Sequence, residues 1–104
     1  MGLNVAITGM GVVSALGHTP AELFERLERN DIAIEEVPWT RDDPDRNEWW
    51  APVKDFDPGQ WMDERVQGGT VAFAQFAIAA ATMALRDAGL DKLDPLRTAV
   101  ILGT

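Results

Sequence analysis

The feature that most constrains the fold is a helical segment, residues 70–88, that is apolar on nearly every side. Between residues 71 and 85 only Gln75 and Thr82 interrupt the apolar pattern, and Gly89 follows as a suitable residue to end the helix. A helix that is apolar all round is stable only inside a larger body. Spanning a bilayer takes about 20 apolar residues, so the pattern predicts a buried core helix and not a membrane helix.

Two short apolar runs, residues 5–7 and 99–102, are bounded by turn residues and predict buried strands. The order strand, helix, irregular excursion, helix, strand is typical of the α/β class with a parallel sheet. In such sheets the ligand site lies beyond the carboxyl ends of the strands, where this chain stops. Since 104 residues also leave little to enclose the long helix, we expect residues 1–104 to be an incomplete N-terminal portion of a larger domain.

The first helix has a clear start. Thr19 can cap it, Pro20 suits its first turn, and Glu22 lies three residues after the cap to complete a capping box. The helix is predicted to run to about Arg29.

The middle of the chain is less regular. Residues 32–34 and 50–53 are candidate short strands, and Pro52 confines the second to a sheet edge. A polar loop, residues 40–47, separates them. Asp57 and Pro58 begin a candidate short helix that reaches Met62.

Charge and cysteine content exclude several functions. The net charge is −8 and the chain holds two lysines, so it lacks the basic clusters that nucleic acids and anionic membranes require. It has no cysteine, which rules out disulfides, thiolate metal sites and a cysteine nucleophile within these residues. These features, with the lack of a signal peptide, fit a cytoplasmic protein.

His18 is the single histidine and therefore the first candidate for a catalytic base. A base needs a nucleophile and an orienting partner, and no spacing rule brings the nearby Ser14 to it. We interpret His18 as a surface or turn residue. The sequence thus offers no catalytic, cofactor-binding or metal-binding residue.

The glycine segment allows a second interpretation, as part of a dinucleotide-binding loop. Gly9 and Gly11 follow a predicted strand, and Asp31 lies about 20 residues further on. However, the third glycine position holds Ser14, and the helix start is delayed to Thr19, away from the glycines. A tight connection between strand and helix is favoured, and nucleotide binding stays an alternative.

Two further clusters of side chains lie in the irregular excursion, residues 30–67. The tryptophans are more typical of a core edge or an interface than of a ligand platform: Trp39, Trp49, Trp50 and Trp61. The aspartates lack the alternation and closing glutamate of a calcium loop, which indicates a solvated turn: Asp42, Asp43 and Asp45.

Taken in order, several segments resemble the elongating β-ketoacyl-acyl-carrier-protein synthases, which are thiolase-like condensing enzymes. The opening, residues 5–17, carries the pattern Thr-Gly-x-Gly-x-x-Ser-x-x-Gly before a capped helix. The resemblance continues in residues 53–58, 73–81, 84–90 and 98–104 and so covers nearly the whole chain. It departs in residues 66–70, where many members carry a basic-Met-Asp segment, and in the Trp-rich excursion.

The resemblance implies an acyltransferase that condenses an acyl thioester with malonyl-carrier protein, using a cysteine and two histidines that cannot be assigned here. It implies fatty-acid or polyketide synthesis, no cofactor, and a dimer of identical or related subunits. Acyl-carrier protein would dock elsewhere, because it is acidic and this segment is also acidic. A non-catalytic partner subunit, similar to a chain-length factor, is a further alternative.

Overall fold

The computed structural model describes residues 2–103. In chain order the elements are α1 (Pro20–Glu28), β1 (Glu35–Glu36), β2 (Trp49–Trp50), α2 (Glu64–Gly69) and α3 (Ala72–Asp87). Two 3₁₀ turns, Pro38–Thr40 and Pro58–Gln60, lie between them.

Helix α1 begins as the sequence predicts. The Thr19 hydroxyl accepts a hydrogen bond from the Glu22 N–H at 3.1 Å, and Pro20 occupies the first turn. The Glu22 carboxylate accepts from the N–H of His18 at 3.0 Å, one residue before the cap. The reciprocal bond of the capping box is therefore displaced by one residue, but two backbone donors at the helix start are still satisfied.

The predicted helix over residues 70–88 forms as α3, preceded by a separate short helix, α2. The break falls at Thr70, whose hydroxyl donates to the carbonyl of Val66 at 2.7 Å. The Gln75 amide spans the break, donating to the carbonyls of Gln67 and Thr70 at 3.2 and 3.3 Å. Helix α3 ends at Asp87 with Ala88 as its C-cap, and Gly89 follows at the predicted C′ position with a φ of +70°.

The excursion contains an antiparallel hairpin, in which Glu35 pairs with Trp50 and Glu36 with Trp49. The strands predicted at residues 32–34 and 50–53 are therefore misplaced by up to three residues. The register follows contacts made across the hairpin, including an edge-to-face pair between Trp39 and Trp50 with ring centroids 5.2 Å apart. The predicted short helix after Asp57 forms as a 3₁₀ turn, with the Asp57 carboxylate accepting from the N–H of Gly59.

The strands predicted at residues 5–7 and 99–102 do not form within the described residues, and the sheet described there is antiparallel. Their side chains face solvent, with Val5 93% and Ile101 91% exposed. A buried parallel strand needs paired neighbours and cover on both faces. Residues 2–103 supply neither for these two runs.

The apolar core is correspondingly small. Among the described residues, Val37 and Ala79 are the apolar residues counted as buried, while Phe73 on α3 is 68% exposed. The Cα radius of gyration is 17.4 Å, against about 13 Å for a compact domain of this length. The all-round apolar pattern of α3 therefore meets no enclosing body within these residues. None of the helices described between residues 2 and 103 combines the length and the apolarity needed to cross a membrane.

Candidate functional site

The glycine segment lies directly against helix α3. A Cβ atom added to Gly9 would lie 2.1 Å from the carbonyl oxygen of Ala84, and one added to Gly11 would lie 2.0 Å from that of Ala80. Both distances are far shorter than a nonbonded contact allows. The glycines therefore permit close approach of two backbones, and the small side chains on this face of α3 complete the fit.

One hydrogen bond fastens the same contact at the end of α3. The Met10 N–H, between the two glycines, donates to the Asp87 carboxylate at 2.9 Å. On the preceding residue, the Arg86 guanidinium lies 5.2 Å from the centre of the Trp61 ring. The end of α3 thus binds the glycine segment through Asp87 and the excursion through Arg86.

This arrangement disfavours the nucleotide-binding alternative. A dinucleotide fingerprint keeps its glycines open to the pyrophosphate and directs a helix N-terminus at it. Here the space beside Gly9 and Gly11 is filled by the backbone of α3, and the N-terminus of α1 is occupied by the Thr19 hydroxyl. The glycines are used for packing.

Ser14 and His18 are not brought together as a catalytic pair. The Ser14 hydroxyl closes a tight turn, donating to the Gly17 carbonyl at 3.0 Å and accepting from the Leu16 and Gly17 N–H groups. The His18 ring instead packs edge-on against Phe56 with centroids 5.9 Å apart, and Phe56 packs on Phe76 of α3 at 5.0 Å. His18 therefore belongs to an aromatic row that joins the loop before α1 to α3 through Phe56.

A polar cleft of about 380 Å³ opens beside His18. Its ionic side chains largely bind one another or the backbone: Lys54 pairs with Glu35, and Arg26 donates to the Leu16 carbonyl at 3.2 Å. Asp55 lines the cleft with a left-handed backbone, φ +58°, a conformation that aspartate tolerates in turns. The geometry is that of a junction between α1 and the excursion.

Arg26 also shapes the titration of its neighbour. Its Nε donates to Asp31 at 3.1 Å, and Arg29 donates to the same carboxylate oxygen at 3.0 Å. These bonds stabilise the carboxylate, so the pKa of Asp31 lies below its ordinary value even though partial burial acts in the opposite direction. Asp31 thus joins the two arginines at the end of α1.

The aspartates of the excursion form a turn. The Asp43 carboxylate accepts from the N–H of Asp45 at 3.0 Å, and the Asp43 N–H donates to the Thr40 carbonyl. Within the described residues, no group of three or more metal-ligating side chains is placed to hold an ion.

An apolar hollow of about 550 Å³ lies on one side of α3. It is lined by side chains of the first two turns, among them Phe73, Ala77 and Ile78, and by Leu102 from the closing run. Among the described residues that line the hollow, no side chain can donate or accept a proton. Its chemistry suits packing, and no sequence motif pointed to it, because the hollow joins residues that lie about one quarter of the chain apart.

Comparison with known proteins identifies the family to which this chain belongs. The family described as "Beta-ketoacyl synthase, N-terminal domain" matches residues 3–104. A 3-oxoacyl-[acyl-carrier-protein] synthase 2 of Coxiella burnetii is 36% identical over 90 residues, which cover 85% of this chain and 21% of that protein.

Two further relatives are similar. A putative polyketide beta-ketoacyl synthase 1 of Streptomyces halstedii is 34% identical, over 100% of this chain and 25% of its own. A 3-oxoacyl-[acyl-carrier-protein] synthase 2 of Synechocystis is 31% identical, over 97% of this chain and 25% of its own.

The chain belongs to the family of β-ketoacyl synthase N-terminal domains, and this membership implies a thiolase-like fold. It spans about a fifth to a quarter of the length of the curated relatives it matches. The resemblance drawn from the ordered motifs is thereby confirmed. The glycine pattern of the opening motif and the Asp87 segment, which are far apart in sequence, meet in space at the contact described above.

Proposed function

We propose that the protein carrying this chain is a β-ketoacyl-acyl-carrier-protein synthase, which condenses an acyl thioester with malonyl-carrier protein in fatty-acid or polyketide synthesis. The observation that carries the proposal is the family match over residues 3–104, supported by relatives that are named as such synthases. Residues 1–104 are then an incomplete N-terminal portion of the N-terminal domain.

The chemistry must come from elsewhere in that protein. Covalent acyl transfer needs a thiolate nucleophile, and decarboxylation needs donors that stabilise the enolate charge. This chain holds no cysteine, and its one histidine packs against Phe56. We therefore expect the catalytic residues to lie outside these 104 residues and the chain alone to be inactive.

The contribution of this chain is the scaffold. In the intact protein we expect residues 5–7 and 99–102 to become strands of a central parallel sheet, with α3 buried beneath it. Two features support this: both runs are apolar and exposed here, and α3 presents an uncovered apolar hollow beside Leu102. The contact of Gly9 and Gly11 with α3 would fix where the first strand meets the sheet.

Partners follow from the same proposal. Acyl-carrier protein would dock through parts outside this chain, because its acidic surface is repelled by a segment of net charge −8. We expect a dimer of identical or related subunits, and a cytoplasmic location shared with the acyl-carrier protein.

The test is a condensation assay on the intact protein. Purified protein is mixed with acyl- and malonyl-carrier protein, and 3-oxoacyl-carrier protein is measured by mass spectrometry, with the 104-residue chain alone as the matched control. We expect product from the intact protein and none from the chain. Product from the chain alone would contradict the assignment of the chemistry to other residues.

The assay also separates the non-catalytic alternative. A partner subunit resembling a chain-length factor would give no product alone and would change the product length when added to an active synthase. A silent intact protein with that behaviour would replace the proposed activity.

A further inference from the structure

The excursion carries an exposed aromatic surface, which we name the tryptophan patch: Trp39, Trp49 and Trp50. Trp39 is 71% and Trp49 62% exposed, and the less exposed Trp50 packs edge-to-face on Trp39. Exposed aromatic clusters mark interaction sites more often than single exposed apolar residues do. Tryptophan is also the residue most enriched among those that dominate binding energy at interfaces.

The patch is held in place by its backbone. The Val37 N–H donates to the Glu48 carbonyl at 2.9 Å, beside the paired strands β1 and β2. The buried Thr40 hydroxyl donates to the Val37 carbonyl at 2.9 Å and accepts from the Glu48 N–H at 3.4 Å. A surface that is ordered before binding loses less conformational entropy when a partner docks.

The surroundings of the patch are negatively charged. Residues 35–50 contain six carboxylates and two arginines. Both arginines are already engaged, Arg41 with Glu36 at 3.3 Å and Arg46 with Glu48 at 3.1 Å. In the part of the chain that the structure describes, no lysine or arginine pairs with the aspartates of the adjoining turn: Asp42, Asp43 and Asp45.

The tryptophan rings are likewise available to a cation. Arg86 lies over the Trp61 ring, so the chain itself uses the contact between a guanidinium and an indole. Among residues 2–103, no such cation covers a ring of the tryptophan patch. An indole face attracts a guanidinium, and nearby carboxylates strengthen that attraction.

We propose that the tryptophan patch is a docking surface for an arginine-rich segment of a partner protein. The occupant is chosen by charge complementarity, because the aspartates of the turn between Trp39 and Trp49 have no lysine or arginine partner among the described residues and would repel an acidic partner such as acyl-carrier protein. The rest of the intact protein suits the patch less well, because covering Asp42 and Asp45 with apolar chain would bury unpaired charges. Residues 99–102 contain no charged side chain, so covering them with apolar chain carries no such cost.

The test uses the intact protein and a synthetic peptide that alternates arginine with alanine, with a glutamate–alanine peptide as the control ligand. Binding is followed by fluorescence anisotropy of a dye on the peptide. We expect the protein to bind the arginine peptide and not the glutamate peptide. Trp49→Ala is expected to weaken it about tenfold, whereas Trp61→Phe, outside the patch, leaves it within about twofold.

The charge is tested separately. Asp42→Asn combined with Asp45→Asn is expected to weaken binding about threefold and to make it less sensitive to salt. Asp91→Asn, which removes an exposed carboxylate in another segment, is the matched control and should change neither. If Trp49→Ala unfolds the protein, this pair of variants in an exposed turn still decides the question.

Three results would overturn the proposal. The first is equal affinity for the two peptides, or none for either. The second is Trp49→Ala abolishing self-association in sedimentation while the peptide does not bind, which would make a second copy the occupant. The third is binding to phosphatidylcholine vesicles in place of the peptide. None of these readouts depends on condensing activity, so the inference stands or falls apart from the proposed function.

Discussion

The glycine segment follows the first predicted strand, and the closing run, residues 99–102, is the second predicted strand. The two segments differ in how they pack. Gly9 and Gly11 lie against α3, and Met10 is bonded to Asp87. Val100 and Ile101 are 79% and 91% exposed. A packing contact forms when both of its surfaces are present in the chain. A buried strand forms only when its neighbours are present too.

The largest expected effect comes from placing a charge in the closing run. In the intact protein, where we expect residues 99–102 to be a buried strand, Ile101→Asp should lower the free energy of unfolding by about 4 kcal/mol, because the carboxylate has no partner there. In the 104-residue chain the same change should have an effect within about 0.5 kcal/mol, since the side chain is already exposed. Denaturant unfolding of both forms measures the difference, and equal losses of stability in the two forms would contradict the expected burial of residues 99–102 in the intact protein.

Overpacking the glycine contact should come next. Gly11→Val places a branched side chain where a Cβ would already lie 2.0 Å from the Ala80 carbonyl oxygen, so a backbone must move. We expect a loss of about 3 kcal/mol in the unfolding free energy of the intact protein. Gly2→Val is the control, because nothing lies within 4 Å of a Cβ at Gly2. Similar losses for the two variants would show that the contact with α3 does not matter.

A smaller effect is expected at the start of α1. Thr19→Ala removes the hydroxyl that accepts from the Glu22 N–H and should lower stability by about 1 kcal/mol. The exposed Thr98, which lies outside any helix, provides the control substitution to alanine. The helix signal in circular dichroism during thermal unfolding reports the change. An unchanged stability in Thr19→Ala would show that the Thr19 cap does not stabilise α1.

The smallest effect depends on pH. The pKa of Asp31 is lowered in the folded chain, so its bonds to Arg26 and Arg29 stabilise the fold near neutral pH. That contribution is lost as the pH falls below 3.8, the ordinary aspartate value, and through the lowered pKa. Asp31→Asn should therefore flatten the decline of the melting temperature in this acid range. An unchanged decline in Asp31→Asn would contradict the assignment.

The same comparison explains what the sequence could predict. The start of α1 and the end of α3 depend on a few adjacent residues, so Thr19, Pro20 and Gly89 suffice to place them. The hairpin register depends on contacts between Trp39 and Trp50, and local pattern placed it up to three residues away.

Function follows a similar division. The ordered motifs predicted the family, because motif order survives in a linear sequence. They did not predict what the glycines do, since the backbone of α3 that fills the space beside Gly11 lies about 70 residues further on. The tryptophan patch also escaped, because exposure cannot be seen in a run of tryptophans that equally suits a core edge.

We expect the apolar runs at residues 5–7 and 99–102 to become sheet strands only in the intact protein. Amide hydrogen exchange, read by mass spectrometry on peptides that cover these runs, tests it directly in the 104-residue chain and in the intact protein. We expect rapid exchange in the chain and strong protection in the intact protein, with α3 gaining protection as well. Protection of both runs in the chain alone, or rapid exchange in the intact protein, would contradict the account.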